Sequence, residues 1–227
     1  IMATTNTHAF NLDLNLLVEE AFERCGAELR TGYDLRTATR SLNLLTIEWA
    51  NRGINLWTVE QGSIPLVAGT ATYNLPATTI DLMSQVIRTG TGTTQSDIAI
   101  SRVSNPTYAS IPSKNDTGRP IQVYIDRQAA IPTVTMWPVP NDSTYTLVYW
   151  YLKRIDDAGT GVNTQHIPFR FLPCMVAGLA YYLSLKIPEA APRIQMLKSE
   201  YEEQWLLAST EDREKATLTI APRTSYV

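Results

Sequence analysis

Histidine and cysteine are the side chains that most often bind metal ions, and this chain has two of each: His8, His166, Cys25 and Cys174. Neither an HxxxH nor a CxxC spacing occurs, and no carboxylate cluster at ligand spacing lies near a histidine. His166 precedes Ile167-Pro168 and is interpreted as a loop residue at the start of a helix. The pattern therefore predicts no metal site and no cofactor.

Nucleophilic catalysis lacks a recognisable motif as well. The chain has no GxSxG, and neither Cys25 nor Cys174 stands in the sequence context of a known cysteine protease. Both cysteines lie on predicted apolar helix faces, which favours two small buried hydrophobic residues over a disulfide. Gly90-Thr91-Gly92 matches only the first three positions of the dinucleotide fingerprint and opens no predicted helix, so we predict a turn there.

Paired carboxylates are the remaining candidates, because glycoside hydrolysis needs two carboxyl groups across a cleft. The available side chains lie on predicted polar helix faces, where a solvated surface explains them: Glu19, Glu20, Glu23, Glu200, Glu202 and Glu203. Aromatic side chains that could stack on a sugar occur in one predicted strand, where core packing is favoured: Tyr145, Tyr149, Trp150 and Tyr151. We assign no catalytic residue and predict that the chain is not an enzyme.

Composition permits a large core and argues against several classes of protein. Of 227 residues, 44% are hydrophobic and 18% charged, which is typical of a folded domain. The formal net charge of −3 argues against a dedicated nucleic-acid binder. Residues 2–15 lack a secretory signal, and the most apolar stretch, 173–185, is shorter than the ~20 residues of a membrane span. We expect a soluble, intracellular protein with no membrane contact.

Helical periodicity occurs near both chain ends. The first helix carries an apolar stripe between the cap candidates Asn11 and Asp13 and the stop Gly26: Leu14, Leu17, Val18, Ala21, Phe22 and Cys25. The second opens at Asp34 and ends near Gly53, with a core stripe of Leu35, Ala38, Leu42, Leu45 and Trp49. The segment 169–187 is apolar nearly all round and is predicted to be the central buried helix, with a close contact at Gly178. The last helix follows Pro188 and Pro192, with a stripe of Ile194, Leu197, Tyr201, Trp205 and Ala208.

Between residues 57 and 152 the period changes to two, and Gly, Pro, Thr and Asn mark repeated turns. Residues 121–126 alternate as a half-buried strand, and 145–152 are apolar on both faces, as in a central strand. We therefore predict an α+β fold: a four-helix frame from both chain ends, an inserted antiparallel β-sandwich or small barrel, and an extended C-terminal arm. The predicted domains are 1–56 with 160–213 (helical), 57–159 (β) and 214–227 (arm).

Two helices have a second apolar side, and a helix that is apolar on two sides either lies deep in a core or also contacts a neighbouring subunit. Leu44 and Ile47 lie almost opposite the core stripe of the second helix, and Met196 and Leu207 lie on the far side of the last helix. The terminal arm alternates apolar and polar residues, which suggests that it orders against a partner or, equally, that it is a frayed terminus: Leu218, Ile220, Pro222 and Tyr226.

A family resemblance rests on several motifs in order. The first motif, VAGTATYNLP at residues 67–76, follows a predicted helix ending in WANRG and a strand with Trp57. The second is DTGRP at 116–120, which precedes YIDR at 124–127. The third is the turn MWPVP at 136–140, and the fourth is the helix after the insertion, at 167–186. From about residue 11 to 212 the chain resembles the head-to-tail adaptors of short-tailed bacteriophages, also described as head completion or tail tubular protein A-like proteins.

This resemblance implies a virion structural protein made in the host cytoplasm and located in the neck or tail. Such adaptors form a homo-oligomeric ring, expected here to be a dodecamer, that docks on the portal protein after DNA packaging, extends the DNA channel and provides the platform for tail assembly. The implied partners are the portal, a tail nozzle or tail-tube protein and, as a further candidate, tail fibres. DNA would pass through the lumen without sequence-specific binding. In the family, the helical part and the C-terminal segment face the portal, and the β insertion faces the tail.

The sequence leaves two alternatives open. One is a virion-associated peptidoglycan-degrading enzyme that uses two of the named glutamates, and the other is a carbohydrate-binding β module on a helical base. The second apolar faces at Leu44, Ile47, Met196 and Leu207 favour the adaptor.

Overall fold

A computed structural model describes residues 6–30, 32–53, 56–127 and 130–214. In these residues the helices are α1 Leu14–Cys25, α2 Gly32–Arg52, the short α3 Asn105–Ala109, α4 Leu172–Ser184 and α5 Ile194–Glu211. The strands are β1 Val59–Pro65, β2 Thr72–Asn74, β3 Thr79–Thr89, β4 Ser96–Ala99, β5 Ser101–Val103, β6 Thr117–Gly118, β7 Gln122–Asp126, β8 Thr133–Trp137, β9 Val139–Pro140 and β10 Thr146–Lys153. The mixture of helices from both chain ends with a central run of strands confirms the α+β prediction.

The chain divides into two compact units, Ile1–Glu48 with Asp157–Val227, and Trp49–Asp156. We call them the helical unit and the β unit. The last turn of α2 belongs to the β unit, whereas the sequence placed the first domain limit at residue 56. The predicted domain limits stay a prediction.

In the helical unit, α1 begins and ends where its caps predict. The Asp13 side chain accepts a hydrogen bond from the Leu16 backbone N–H at 2.9 Å, which satisfies one of the donors left free at a helix start. Gly26 ends the helix in the left-handed conformation, at φ +77°, which glycine adopts without a steric penalty. The predicted stripe of α1 is buried throughout.

Helix α4 lies at the centre of the helical unit, with nearly every side chain from Leu172 to Leu183 buried or half-buried apart from Pro173. At Gly178 its backbone approaches α2 and α5 so closely that an added Cβ would lie 2.9 Å from atoms of Leu45 and Tyr201. The packing of three helices therefore depends on the absence of a side chain at this position.

The β unit contains two four-stranded sheets, ordered β1-β10-β3-β4 and β2-β8-β7-β5, and a two-stranded sheet, β6-β9. Strand β10 is interior and buries residues of both faces, as its continuous apolar run predicts. Apolar residues of both larger sheets form one buried cluster, including Ile87, Val123 and Leu147. Sheet-on-sheet packing of this kind defines a sandwich.

The insertion is not wholly antiparallel. Strand β5 runs parallel to β7, and β6 runs parallel to β9. Parallel neighbours need a long connection, which the stretch between β5 and β7 provides because it contains α3. Helix α3 is capped by Ser104, whose hydroxyl accepts a hydrogen bond from the Thr107 N–H.

Candidate assembly surfaces

Helix α2 presents a continuous exposed stripe opposite its buried one. Leu44 and Ile47, exposed by 50% and 42%, lie one turn apart in its middle. Arg36 and Arg40 precede them at helical spacing and are also exposed. We call Arg36, Arg40, Leu44 and Ile47 the α2 stripe. It combines two cationic and two apolar side chains on one helix face.

Helix α5 presents a stripe of complementary character. Met196 and Leu207, exposed by 58% and 59%, are separated by three helical turns, or about 16 Å along the axis. Glu203 lies between them at helical spacing and is exposed. We call Met196, Glu203 and Leu207 the α5 stripe. The α5 stripe therefore combines apolar side chains with a negative charge, whereas the α2 stripe combines apolar side chains with positive charges.

The arm residues that the sequence assigns to portal docking, Leu218, Ile220, Pro222 and Tyr226, lie outside the described residues. The structure follows the chain to Glu214, just beyond α5. At this end of α5, the buried carboxylate of Asp212 accepts a hydrogen bond from Arg170, in the turn before α4.

Two of the six glutamates considered for glycoside hydrolysis, Glu20 and Glu200, are joined by an arginine. Arg24 Nε donates to Glu20 Oε1 at 3.0 Å, and Arg24 Nη1 donates to Glu200 Oε1 at 2.6 Å. A glycosidase needs its two carboxyl groups on opposite sides of a sugar bond, with space for water or sugar between them. Here a guanidinium occupies the space between the two carboxylates, and the three groups link α1 to α5.

An open groove runs along α1 and the start of α4, with a volume of about 470 Å³. Its apolar lining includes the exposed side chains of Phe10 and Leu16 and the buried side chains of Leu172 and Val176. Its charged lining comes from α1, with the side chains Glu19, Glu20, Glu23 and Arg24. The groove continues past Phe10 and Pro173 to His8 and Phe169, through a second, mainly apolar hollow of about 460 Å³. We call both parts together the α1–α4 groove.

Neither cysteine is disposed for nucleophilic catalysis. Cys25 and Cys174 are free thiols, each only 1% exposed. The Cys25 thiol donates to the Ala180 carbonyl at 3.1 Å, and burial raises its pKa to about 11, against a smaller opposing effect of Arg193. A reactive thiol needs a lowered pKa. The interpretation of both residues as buried hydrophobes is confirmed.

One pair with catalytic chemistry was missed by sequence reasoning. Lys186 Nζ donates to Ser41 Oγ at 2.6 Å, and burial, followed by the nearby charge of Arg40, lowers the pKa of Lys186. Serine–lysine pairs act as nucleophile and base in some hydrolases. However, Ser41 is 0% exposed and its hydroxyl donates to the Thr37 carbonyl in its own helix, so no substrate can approach it. The pair therefore tethers α2 to the end of α4, and no local motif could have predicted it.

The aromatic side chains of β10 belong mainly to the core. Tyr149 and Tyr151 are 3% and 7% exposed, and Tyr149 lies over Gly62 of β1, where an added Cβ would meet its ring at 2.5 Å. The Tyr151 hydroxyl donates to Glu60 at 3.0 Å. Such rings cannot form the open stacking platform that a sugar requires. The Gly90-Thr91-Gly92 segment forms the turn between β3 and β4, with positive φ at both glycines.

The part of the chain that the structure describes contains no candidate metal site and no candidate membrane-spanning helix. No three His, Cys, Asp or Glu residues of that part are grouped so that they could hold a metal ion. His166 is exposed at a bend before the turn that leads into α4, as predicted. None of the described helices has both the length and the apolar character for crossing a membrane.

Comparison with models of protein families gives a match over most of the chain. Residues 16–223 match the family model described as SU10 adaptor protein, which covers both the helical unit and the β unit. The match confirms the resemblance to phage adaptors that the motifs between residues 67 and 186 carry. A search of curated proteins finds no match.

Proposed function

Because the chain belongs to the SU10 adaptor protein family, we propose that it forms the head-to-tail adaptor ring of a short-tailed phage. A family of phage adaptors indicates a structural component of the virion neck. The finer proposal is that identical subunits form a ring, expected to be a dodecamer, which docks on the portal after DNA packaging. The observation that carries this proposal is the pair of complementary stripes on α2 and α5.

A cyclic ring needs two different contact surfaces on each subunit, since every copy meets one neighbour on each side. The α2 stripe presents Arg36 and Arg40 beside Leu44 and Ile47, and the α5 stripe presents Glu203 between Met196 and Leu207. Apolar side chains can then be buried against each other while the arginines meet the glutamate. We infer that α2 of one copy contacts α5 of the next.

The charge of the chain suits a channel that lets DNA move. A net charge of −3 provides no excess of cations to hold phosphates, and proteins that bind DNA tightly neutralise many phosphates with Lys and Arg. DNA would therefore pass through the lumen without sequence-specific binding. The β unit would face the tail and provide the platform for the tail nozzle or tail-tube protein.

The helical unit and the C-terminal arm are proposed to contact the portal. Apolar residues spaced along the arm, Leu218, Ile220, Pro222 and Tyr226, would order on the portal surface at an entropic cost that their burial offsets.

The test is to mix the purified chain with portal rings and to examine the complexes by electron microscopy and mass measurement. We expect an additional ring stacked on the portal. A chain that remains monomeric and does not bind portal would overturn the proposal. A chain lacking residues 215–227 should still fold cooperatively but bind the portal less tightly, whereas unchanged binding would reject the role of the arm.

A further inference from the structure

We propose that, before assembly, the C-terminal arm binds in the α1–α4 groove of its own chain. The groove is an apolar surface that lacks a cover among the described residues: Phe10 and Phe169 are each 79% exposed and Leu16 is 49% exposed. Contiguous exposed apolar surface of this kind marks a binding site. Leu172 and Val176, exposed by only 6% and 2%, form a floor on which an apolar side chain can rest.

The charges of the arm and the groove are complementary. Residues 215–227 contain Lys215 and Arg223 and no Asp or Glu. The groove wall carries three carboxylates, from Glu19, Glu20 and Glu23, and one guanidinium. A cationic segment is therefore attracted to this wall.

The apolar residues of the arm also fit the apolar part of the groove. Leu218, Ile220 and Pro222 are spaced by two, and in an extended backbone residues two apart face the same side. Such a segment can lay its apolar side chains on the groove floor and direct its cations to the carboxylates.

The last described residues lie near the edge of the groove. Helix α5 ends next to Asp212, which is held by Arg170, and the neighbouring Phe169 lines the groove. The thirteen residues 215–227 span up to about 45 Å when extended, so the groove of the same chain is within reach. Because the tether is short, the same-chain groove competes favourably with grooves of other copies.

The experiment measures disulfide formation in the full chain. One variant carries Phe169→Cys with Ile220→Cys, and the matched control carries Leu206→Cys with Ile220→Cys. Leu206 is 64% exposed, lies on the part of α5 next to Asp212, and lines neither part of the groove. Both positions are thus exposed and close to the start of the arm. The native thiols are 1% exposed and do not compete.

In a glutathione redox buffer, we expect the Phe169 pair to form at least tenfold faster than the Leu206 pair, within one chain and at a rate independent of protein concentration. Adding Glu19→Lys and Glu23→Lys should slow the Phe169 pair several-fold. Equal rates for the two pairs would overturn the proposal. Disulfide-linked dimers whose formation accelerates with concentration would also overturn it, since the occupant would then be the arm of a second copy. The proposal concerns the free chain, so a failure of portal binding would leave these rates unchanged.

Discussion

Ile47→Asp and Leu207→Asp, studied separately and then mixed, test whether the α2 stripe of one copy contacts the α5 stripe of the next. Each substitution places a carboxylate in one of the two stripes and leaves the other stripe of that chain intact. Both side chains are exposed in the single chain, by 42% and 59%, so neither substitution removes a core contact. Folding of the subunit should therefore be retained while its association is lost.

The expected loss follows from the exposed area. Complete burial of an Ile or Leu side chain contributes ~1.5–3 kcal/mol. Because 42% of Ile47 is exposed in the single chain, burying that surface in a subunit contact would contribute about 1 kcal/mol to association, and the 59% exposed at Leu207 would contribute slightly more. A carboxylate in the same contact adds the cost of an unpaired buried charge, so the total is about 3 kcal/mol or more. Association should weaken by more than about a hundredfold at each contact.

The assay is native mass measurement at a protein concentration at which the unmodified chain forms rings, with portal added if rings need it. Each variant alone should be monomeric, because every contact would pair one intact stripe with one altered stripe. An equimolar mixture should give one-to-one heterodimers that grow no further, because one intact α2 stripe meets one intact α5 stripe. Val162→Asp is the matched control, since Val162 is an exposed apolar residue, at 81%, outside both stripes.

Two results would refute this reasoning. If the mixture stays monomeric although each variant is folded, the two stripes do not contact each other. If either variant still forms complete rings, its stripe lies outside the subunit contact. Loss of rings in the Val162→Asp control would show that any added charge disrupts assembly, and the interpretation would fail.

Three further predictions concern the stability of the subunit. Gly178→Ala should lower the free energy of unfolding in urea by about 1–3 kcal/mol, because its methyl group would lie 2.9 Å from buried side chains of α2 and α5, whereas Gly32→Ala, with open space around it, should have little effect. Asp13→Ala should cost about 1 kcal/mol in the same assay through loss of the helix cap, and an unchanged curve would contradict this assignment. The Cys25 pKa of about 11 lies above the value of 9.0 for an unburied thiol, so between these pH values the unfolded chain releases a proton that the folded chain retains. Stability should therefore fall as pH rises from about 9 to 11, and Cys25→Ala should make that fall smaller.

The helices could be located from the sequence because their determinants are local. In α1, the stripe, the Asp13 cap and the Gly26 stop lie within fourteen residues, and the structure uses each as predicted. The interior position of β10 follows from its apolar residues on both faces in the same way. Periodicity also identified Leu44, Ile47, Met196 and Leu207 as outward-facing apolar residues, although their contacts stay a prediction.

Strand pairing was harder to predict from the sequence, since it joins segments that are distant in the chain. The turns predicted many short strands, but the parallel pairing of β5 with β7 depends on how the connection through α3 crosses the sheet. Alternation along one strand identifies its buried face and gives no information about its neighbour or the direction of that neighbour.

Only tertiary structure decided what the polar groups do. The sequence left Glu20 and Glu200 available for acid–base chemistry, and the fold places Arg24 between them. It also brings Lys186 to Ser41, across 145 positions of sequence, and forms a groove from α1 and the start of α4 with acidic residues along one side. Hydrophobic periodicity records which side of an element is buried, because burial acts on each residue of a helix or strand in turn. The partner of a charged side chain depends instead on how whole helices pack against one another. In this fold, the candidate catalytic groups Glu20, Glu200 and Lys186 form contacts that join the helices of the helical unit.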